Sequence, residues 1–262
     1  MFQLNTSQLL SGQIIVILLM FIRIFSIFFL APLFSHKSIP ATLRAAIAIV
    51  ILILIYPVVP HPDGISADID LFALVFLILK EASLGLIIGF AGMVVLSTMR
   101  FSGSILGRIM GLKEGNLIDP LFNESIGPLA QYQFILFMLL FLGVDGHHFI
   151  IKLMVKSFNV IPLGSIVISG QLVSKFVQMI GQMFVLSVQY ASPIIAFLIL
   201  TSVAFGIVGR AVPEMNLLIM LLPIKIFVGL MGMVVIFPLL VYFINGLIRT
   251  LYVDLNMILQ MI

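Results

Sequence analysis

Few side chains in this sequence of 262 residues could do chemistry. Lys80 and Glu81 stand side by side, Arg23 and Lys225 stand alone, and all four fall inside apolar segments. A charge without a partner at a bilayer centre costs about 2.5–3.5 kcal/mol or more. Adjacent residues on a helix point about 100° apart, so Lys80 and Glu81 do not simply neutralise one another and their partners lie elsewhere. With Lys225 they could form the polar relay of a secondary transporter or ion channel. They could equally hold helices against other protein or around a wet cavity. Snorkelling to the interface is a third reading, better suited to Arg23 than to Lys80 and Glu81, where apolar residues continue on both sides.

The other reactive cluster is Asp145-Gly146-His147-His148. It could serve an intramembrane enzyme, but a metal is not expected there: adjacent histidines do not easily share one tetrahedral ion, and the chain has 4 histidines in all. A polar cap at a segment end is the expectation. With 0 cysteines there are no disulfides, thiolate metal sites or thiol nucleophiles. Neither Gly-x-Ser-x-Gly nor a Walker A pattern occurs. The sequence therefore predicts no enzyme and no cofactor, and energy for any transport has to come from a gradient or a partner.

The elements that hold these residues are made for lipid. Hydrophobic residues make up 62% of the chain and charged ones 9%, with a mean hydropathy of +1.32; soluble domains run at about 45–50% and about 25%. Six apolar segments stand out, near residues 14–34, 43–56, 71–99, 129–142, 175–208 and 217–248. The segments at 71–99, 175–208 and 217–248 exceed the roughly 20 residues one span needs, and the first of them, with Gly85, Gly89 and Gly92, is expected to bend or break. Residues 149–158, with Lys152 and Lys156 on one face, predict an amphipathic interface helix. Lys37 and Arg44 place their loop in the cytoplasm, and the loop with Asp63, Asp68 and Asp70 lies opposite, which puts the N-terminus outside. No basic residue precedes Arg23, so the first segment does not look like a removable signal peptide. The net charge of +3 comes from scattered single residues, which excludes a nucleic-acid partner and leaves lipid as the surrounding medium.

The chain is organised around residues 100–120, RFSGSILGRIMGLKEGNLIDP, which put glycine and charge into the middle of this apolar sequence. Gly103, Gly107, Gly111 and Gly115 recur at every fourth position. On a helix they form one smooth stripe, and in a loop they give a pliable backbone. Arg108, Lys113 and Glu114 keep the stretch polar enough to leave lipid, while Ile109, Met110 and Leu112 keep it apolar enough to fill a pore. Asp119 before Pro120 marks the end of any helix that has run this far. The stretch reads as a movable element, with the glycines as hinges and Ile109, Met110 and Leu112 as sealing residues.

Taken together, these residues resemble the FliR family of the flagellar type III export apparatus, whose injectisome relatives are called SctT. The resemblance runs through Ala31-Pro32-Leu33-Phe34, Pro40, Arg44, Pro57, Glu81 with Gly85 and Gly89, Gly103, Met110-Gly111 and Asp119-Pro120. It continues in Gly146-His147, Ser157-Phe158, Pro162 with Gly164, Pro193, Gly209-Arg210, Pro213 with Met215-Asn216, and Pro223. The order and spacing of these pieces over nearly the whole chain carry it. Lys113-Glu114, where the family loop is usually less charged, and Leu222, where glycine is common, depart from the pattern.

The resemblance implies an all-α, polytopic integral membrane protein similar to a fusion of FliP and FliQ. It implies a single copy in a helical hetero-oligomeric gate with FliP-like and FliQ-like subunits and an FlhB-like subunit, in the bacterial inner membrane at the flagellar basal body. Unfolded export substrates would pass through the centre. Residues 1–101 and 129–262 would be its N- and C-terminal helices, and 102–128 the glycine-rich loop that plugs the pore. Arg23, Lys80, Glu81 and Lys225 would find partners on neighbouring subunits.

Overall fold

Where the chain is apolar for twenty residues or more, its backbone has to satisfy its own hydrogen bonds, and it does so as helix. The computed structural model describes residues 6–31, 40–59, 69–112, 127–166, 170–211 and 217–262. Among them are seven helices and no strand: α1 (Thr6–Leu30), α2 (Ala41–Ile55), α3 (Leu71–Ile109), α4 (Pro128–Gly143), α5 (Gly146–Val160), α6 (Gly170–Ala211) and α7 (Leu217–Met261). The chain is an all-α polytopic membrane protein. The count of six long apolar segments needs correcting. Four described helices are long and apolar enough to cross a membrane, or five if α4 and α5 make one broken span. With 15 residues α2 is shorter than a span.

Local chemistry sets the ends. α4 starts with Pro128 in the first turn after an extended Gly127, where the missing N–H costs nothing. α2 gives way to a turn at Tyr56 and Pro57, and α5 ends at an extended Ile161 before Pro162. Pro193 lies inside α6 and deprives the Gln189 carbonyl of its donor four residues on; the Ser192 hydroxyl donates to that carbonyl at 2.8 Å instead.

α3 neither breaks nor loosens at its glycines. It runs 39 residues without interruption, and the loop expected from residue 102 begins only after Ile109. A glycine costs a helix up to about 1 kcal/mol, and here close approach offsets that cost. A Cβ on Gly85 would lie 2.6 Å from the Arg23 carbonyl oxygen and from the Ser26 Cβ, and one on Gly89 would lie 2.8 Å from the Ile27 oxygen. The two glycines, four apart, form the flat strip on which α1 lies. The expectations that rest on residues 32–39, 60–68, 113–126 and 212–216 fall outside the described residues.

The chain divides into two compact units. The first comprises Met1–Val94, Asp145–Met179 and Thr250–Ile262; the second comprises Val95–Val144 and Ile180–Arg249. In the first, α2 packs on α1, α1 lies on α3, and Lys175 of α6 pairs with Asp254 of α7 at 2.7 Å, both buried. In the second, the Ser187 hydroxyl donates to the Thr98 carbonyl at 2.9 Å, and Phe101 meets Phe184 edge to face at 4.6 Å.

Gly85→Ala is expected to lower the stability of the detergent-solubilised protein by about 1–3 kcal/mol through overpacking against backbone. Gly92→Ala, whose Cβ would meet nothing within 4 Å, should be neutral or stabilising by up to about 1 kcal/mol. Equal thermal midpoints for the two variants would contradict the glycine strip.

Candidate functional site

Three places gather the residues singled out in the sequence. The first is a buried polar cluster in the first unit. Gly85 lets α1 sit close enough for Arg23 to reach Glu81, one turn away on α3. The Arg23 Nε donates to the Glu81 carboxylate at 2.5 Å, and both side chains are almost wholly buried. The Arg23 NH1 donates to the carbonyls of Ser157 (3.1 Å) and Ile161 (2.9 Å), and the guanidinium lies 4.4 Å from the centroid of Phe158. Arg23 thus fills the C-terminal end of α5, where helix carbonyls run out of donors and carry partial negative charge. The Gly164 N–H donates to the other carboxylate oxygen of Glu81 at 2.7 Å, and Lys80 donates to the Gly164 carbonyl at 3.1 Å. Gly164 has φ +79, and a Cβ there would also strike Leu77 at 2.7 Å. Only glycine fits this turn.

Lys80 and Glu81 do turn to partners elsewhere, as their spacing requires. The partners that Arg23, Lys80 and Glu81 meet among the described residues are within the chain, so none of the three needs a neighbouring subunit for these contacts. Lys225 is half-buried on α7, with no ion pair among the described residues. The Lys175–Asp254 pair escaped the sequence reading: Lys175 stands at the edge of its apolar segment and Asp254 beyond the last one, so neither announced itself as buried.

The second place is the end of α3 in the second unit. Gly103 and Gly107 are helical. A Cβ on Gly103 would lie 2.7 Å from the Ala130 Cα, and one on Gly107 would touch Leu129 at 3.6 Å, so this face of the stripe is where α4 docks. Gly111 has φ +81; its N–H donates to the Arg108 carbonyl (3.1 Å), and the Leu112 N–H donates to the Gly107 carbonyl (2.9 Å). These two bonds make a Schellman stop, so Gly111 ends the helix. Of the expected sealing residues, Met110 is wholly buried and Ile109 and Leu112 are half-buried. Met110 lies flat on α7 at Gly229, where a Cβ would come within 2.5 Å of its Cε. Gly115 lies outside the described residues.

Asp145, His147 and His148 do come together: Asp145 stands at the N-cap position of α5 with φ 58, and its side chain makes no capping hydrogen bond. The expected polar cap is therefore not formed by that carboxylate, whose Oδ1 instead lies 3.2 Å from His148 Nδ1.

Removing one member of a buried ion pair leaves the other uncompensated, at about 3–5 kcal/mol. Arg23→Met and Glu81→Leu should each lower the unfolding midpoint strongly, and the double variant should recover about 0.5–3 kcal/mol of the summed loss. Strict additivity in that cycle would mean that the two groups do not interact.

Residues 14–251 match the model of the family described as bacterial export proteins, family 1. The chain is 30% identical over 223 residues to the flagellar biosynthetic protein FliR of Bacillus subtilis, across 83% of this chain and 84% of that one. It is 25% identical over 231 residues to FliR of Escherichia coli, across 88% and 87% of the two chains. It is also 22% identical over 222 residues to the Yop proteins translocation protein T of Yersinia pestis, across 84% of each. The resemblance carried by the scattered prolines, glycines and charges holds over nearly the full length. With a family match that takes in the buried cluster, the α3 terminus, all of α2 to α6 and most of α1 and α7, this chain belongs to the bacterial export proteins, family 1, and is a membrane component of an export apparatus rather than an enzyme.

Proposed function

We propose that the chain is a single-copy subunit of the flagellar type III export gate in the bacterial inner membrane. In this reading it assembles with FliP-like and FliQ-like subunits beside an FlhB-like one, and unfolded flagellar proteins pass through the assembly's centre. The names of the FliR relatives point to the flagellum. The observation that carries the reading is the length of exposed apolar helix. Large apolar side chains stand exposed along α7 from Ile219 to Met257, a rise of about 57 Å at about 1.5 Å per residue. A hydrocarbon core of about 30 Å covers about 39 Å of a helix even at a 40° tilt. The remaining apolar length needs protein to cover it, which is what other gate subunits supply.

Within that assembly the end of α3 acts as the closing element. Gly103 and Gly107 hold it against α4, Met110 latches it on Gly229, and Ile109 and Leu112 present the apolar surface that seals. Gly111, with its positive φ at the helix end, is the hinge. Opening draws Met110 off Gly229, and an unbranched thioether makes that a low-cost movement. Lys225, half-buried on α7, is the intersubunit contact among the four charges. The alternative of a transporter with a Lys80, Glu81 and Lys225 relay loses its acid, because Glu81 is held by Arg23 and the Gly164 N–H.

Gly111→Val forces a β-branched residue into the left-handed region, a cost of about 1–3 kcal/mol. Motility and secretion of flagellar substrates should fall while the protein still accumulates in the membrane; full motility would remove the closing element from the reading. The native mass of the mildly extracted, tagged protein should correspond to one copy with several copies of small membrane subunits. A stable monomer able to transport by itself would overturn the gate.

A further inference from the structure

The gate reading makes no use of the side chains that start α5. Asp145, His147 and His148 each offer a metal-ligating atom, and these atoms lie within 4.8 Å of one another. Two ligands held at 2.0–2.2 Å by one tetrahedral zinc ion stand about 3.4 Å apart. The Asp145 Oδ1 and His148 Nδ1 already stand 3.2 Å apart, the separation two ligands of one ion would have. The imidazoles of His147 and His148 lie side by side, centroids 4.2 Å apart and planes tilted by 34°. Adjacency in sequence therefore does not aim the two rings to opposite sides of the helix. The Nδ1 of His147 is shielded from solvent and has no hydrogen-bond partner among the described residues. An imidazole nitrogen that no neighbour claims is open to a metal.

We propose that Asp145, His147 and His148 bind a divalent transition-metal ion, with zinc as the occupant the donor set favours. Two imidazoles and a carboxylate are borderline ligands suited to zinc rather than to magnesium or calcium, which take oxygen. The three supply one face of a tetrahedron, and water takes the fourth position from the open cavity of about 520 Å³ bordered by Asp145, His148, Phe149, Ile151 and Lys152. Asp145 and His148 are exposed, so their side chains are free to rotate toward the half-buried His147. Lys152, one turn further along α5, sets a positive charge beside the cavity and holds the affinity below that of a buried structural zinc. The bound ion would cross-link the residue before α5 to its first turn and replace the cap that the Asp145 carboxylate does not make. The proposal stands independently of the gate reading.

The test uses the full chain extracted in its membrane assembly with a tag free of histidine, titrated calorimetrically with zinc chloride in a non-chelating buffer. One equivalent should bind. His147→Gln and His148→Gln should each weaken binding by about tenfold or more, and Asp145→Asn by about tenfold. His36→Gln with His61→Gln, which changes the remaining histidines, should leave it unchanged. As a readout that needs no variant, cobalt(II) added to the unaltered protein should give the intense visible bands of a four-coordinate site. No zinc uptake, uptake indifferent to His147 and His148, or a cobalt spectrum like that of the aqueous ion would each overturn the proposal.

Discussion

The guanidinium of Arg23 is the group on which the first unit depends. Held out of water, it finds a carboxylate on α3, two carbonyls at the end of α5 and an aromatic ring. The partners come from two other stretches of chain, α3 and the end of α5, so the cost of burying one charge becomes a reason for three segments to meet in one way only. Glu81 extends the constraint through its second oxygen, which holds the turn at Gly164. That turn can exist only because residue 164 is glycine. A buried pair of this kind adds little net stability compared with well-packed apolar residues, yet breaking it is severe. Its contribution is specificity: α1 cannot slide on α3 without stranding a charge.

Glycine does a second job that is easily mistaken for flexibility. Gly85 and Gly89 in the first unit, and Gly103 and Gly229 in the second, are each flat places where a neighbouring backbone or side chain comes closer than a Cβ would allow. In lipid the hydrophobic effect does not drive one helix onto another, so such close approach supplies the packing energy instead. The helix through Gly85, Gly89, Gly103 and Gly107 is consequently long and unbroken. The glycine that does change the backbone is Gly111, through its positive φ and the two bonds of the helix stop.

Much of this was legible in the sequence, and the gaps have physical causes. Long apolar runs gave the helices, the lysines four apart gave α5, and the side-by-side Lys80 and Glu81 forced their partners to be distant. The identity of the partner was not legible: Arg23 and Glu81 are 58 residues apart and the Arg23 and Ile161 contact spans 138, and nothing local marks such a pairing. The stripe at every fourth position was read as one feature, but its members divide by environment. Gly103 and Gly107 pack as helix, and Gly111 terminates it. Helix or loop could not be settled from spacing because the deciding fact is what lies opposite, namely Leu129 and Ala130 of α4. The family pattern was readable because it consists of the very glycines and prolines that these close approaches and turns require.

The prolines of α7 carry the argument one step further. Pro223 and Pro238 lie inside the helix and deprive the carbonyls of Ile219 and Val234 of their donors four residues on. In α6 the equivalent carbonyl at Gln189 is served by the hydroxyl of Ser192, but the residues before the α7 prolines are Leu222 and Phe237, which carry no donor. Ile219 and Val234 are both exposed on the chain by itself. A carbonyl without a donor in hydrocarbon costs several kcal/mol, so lipid is a poor neighbour for these two points of α7. Protein with a donor to offer, or water in a lumen, is a good one. The same helix that is too long for lipid to cover thus also bears backbone groups that lipid cannot serve, two independent reasons for α7 to lie inside a larger assembly.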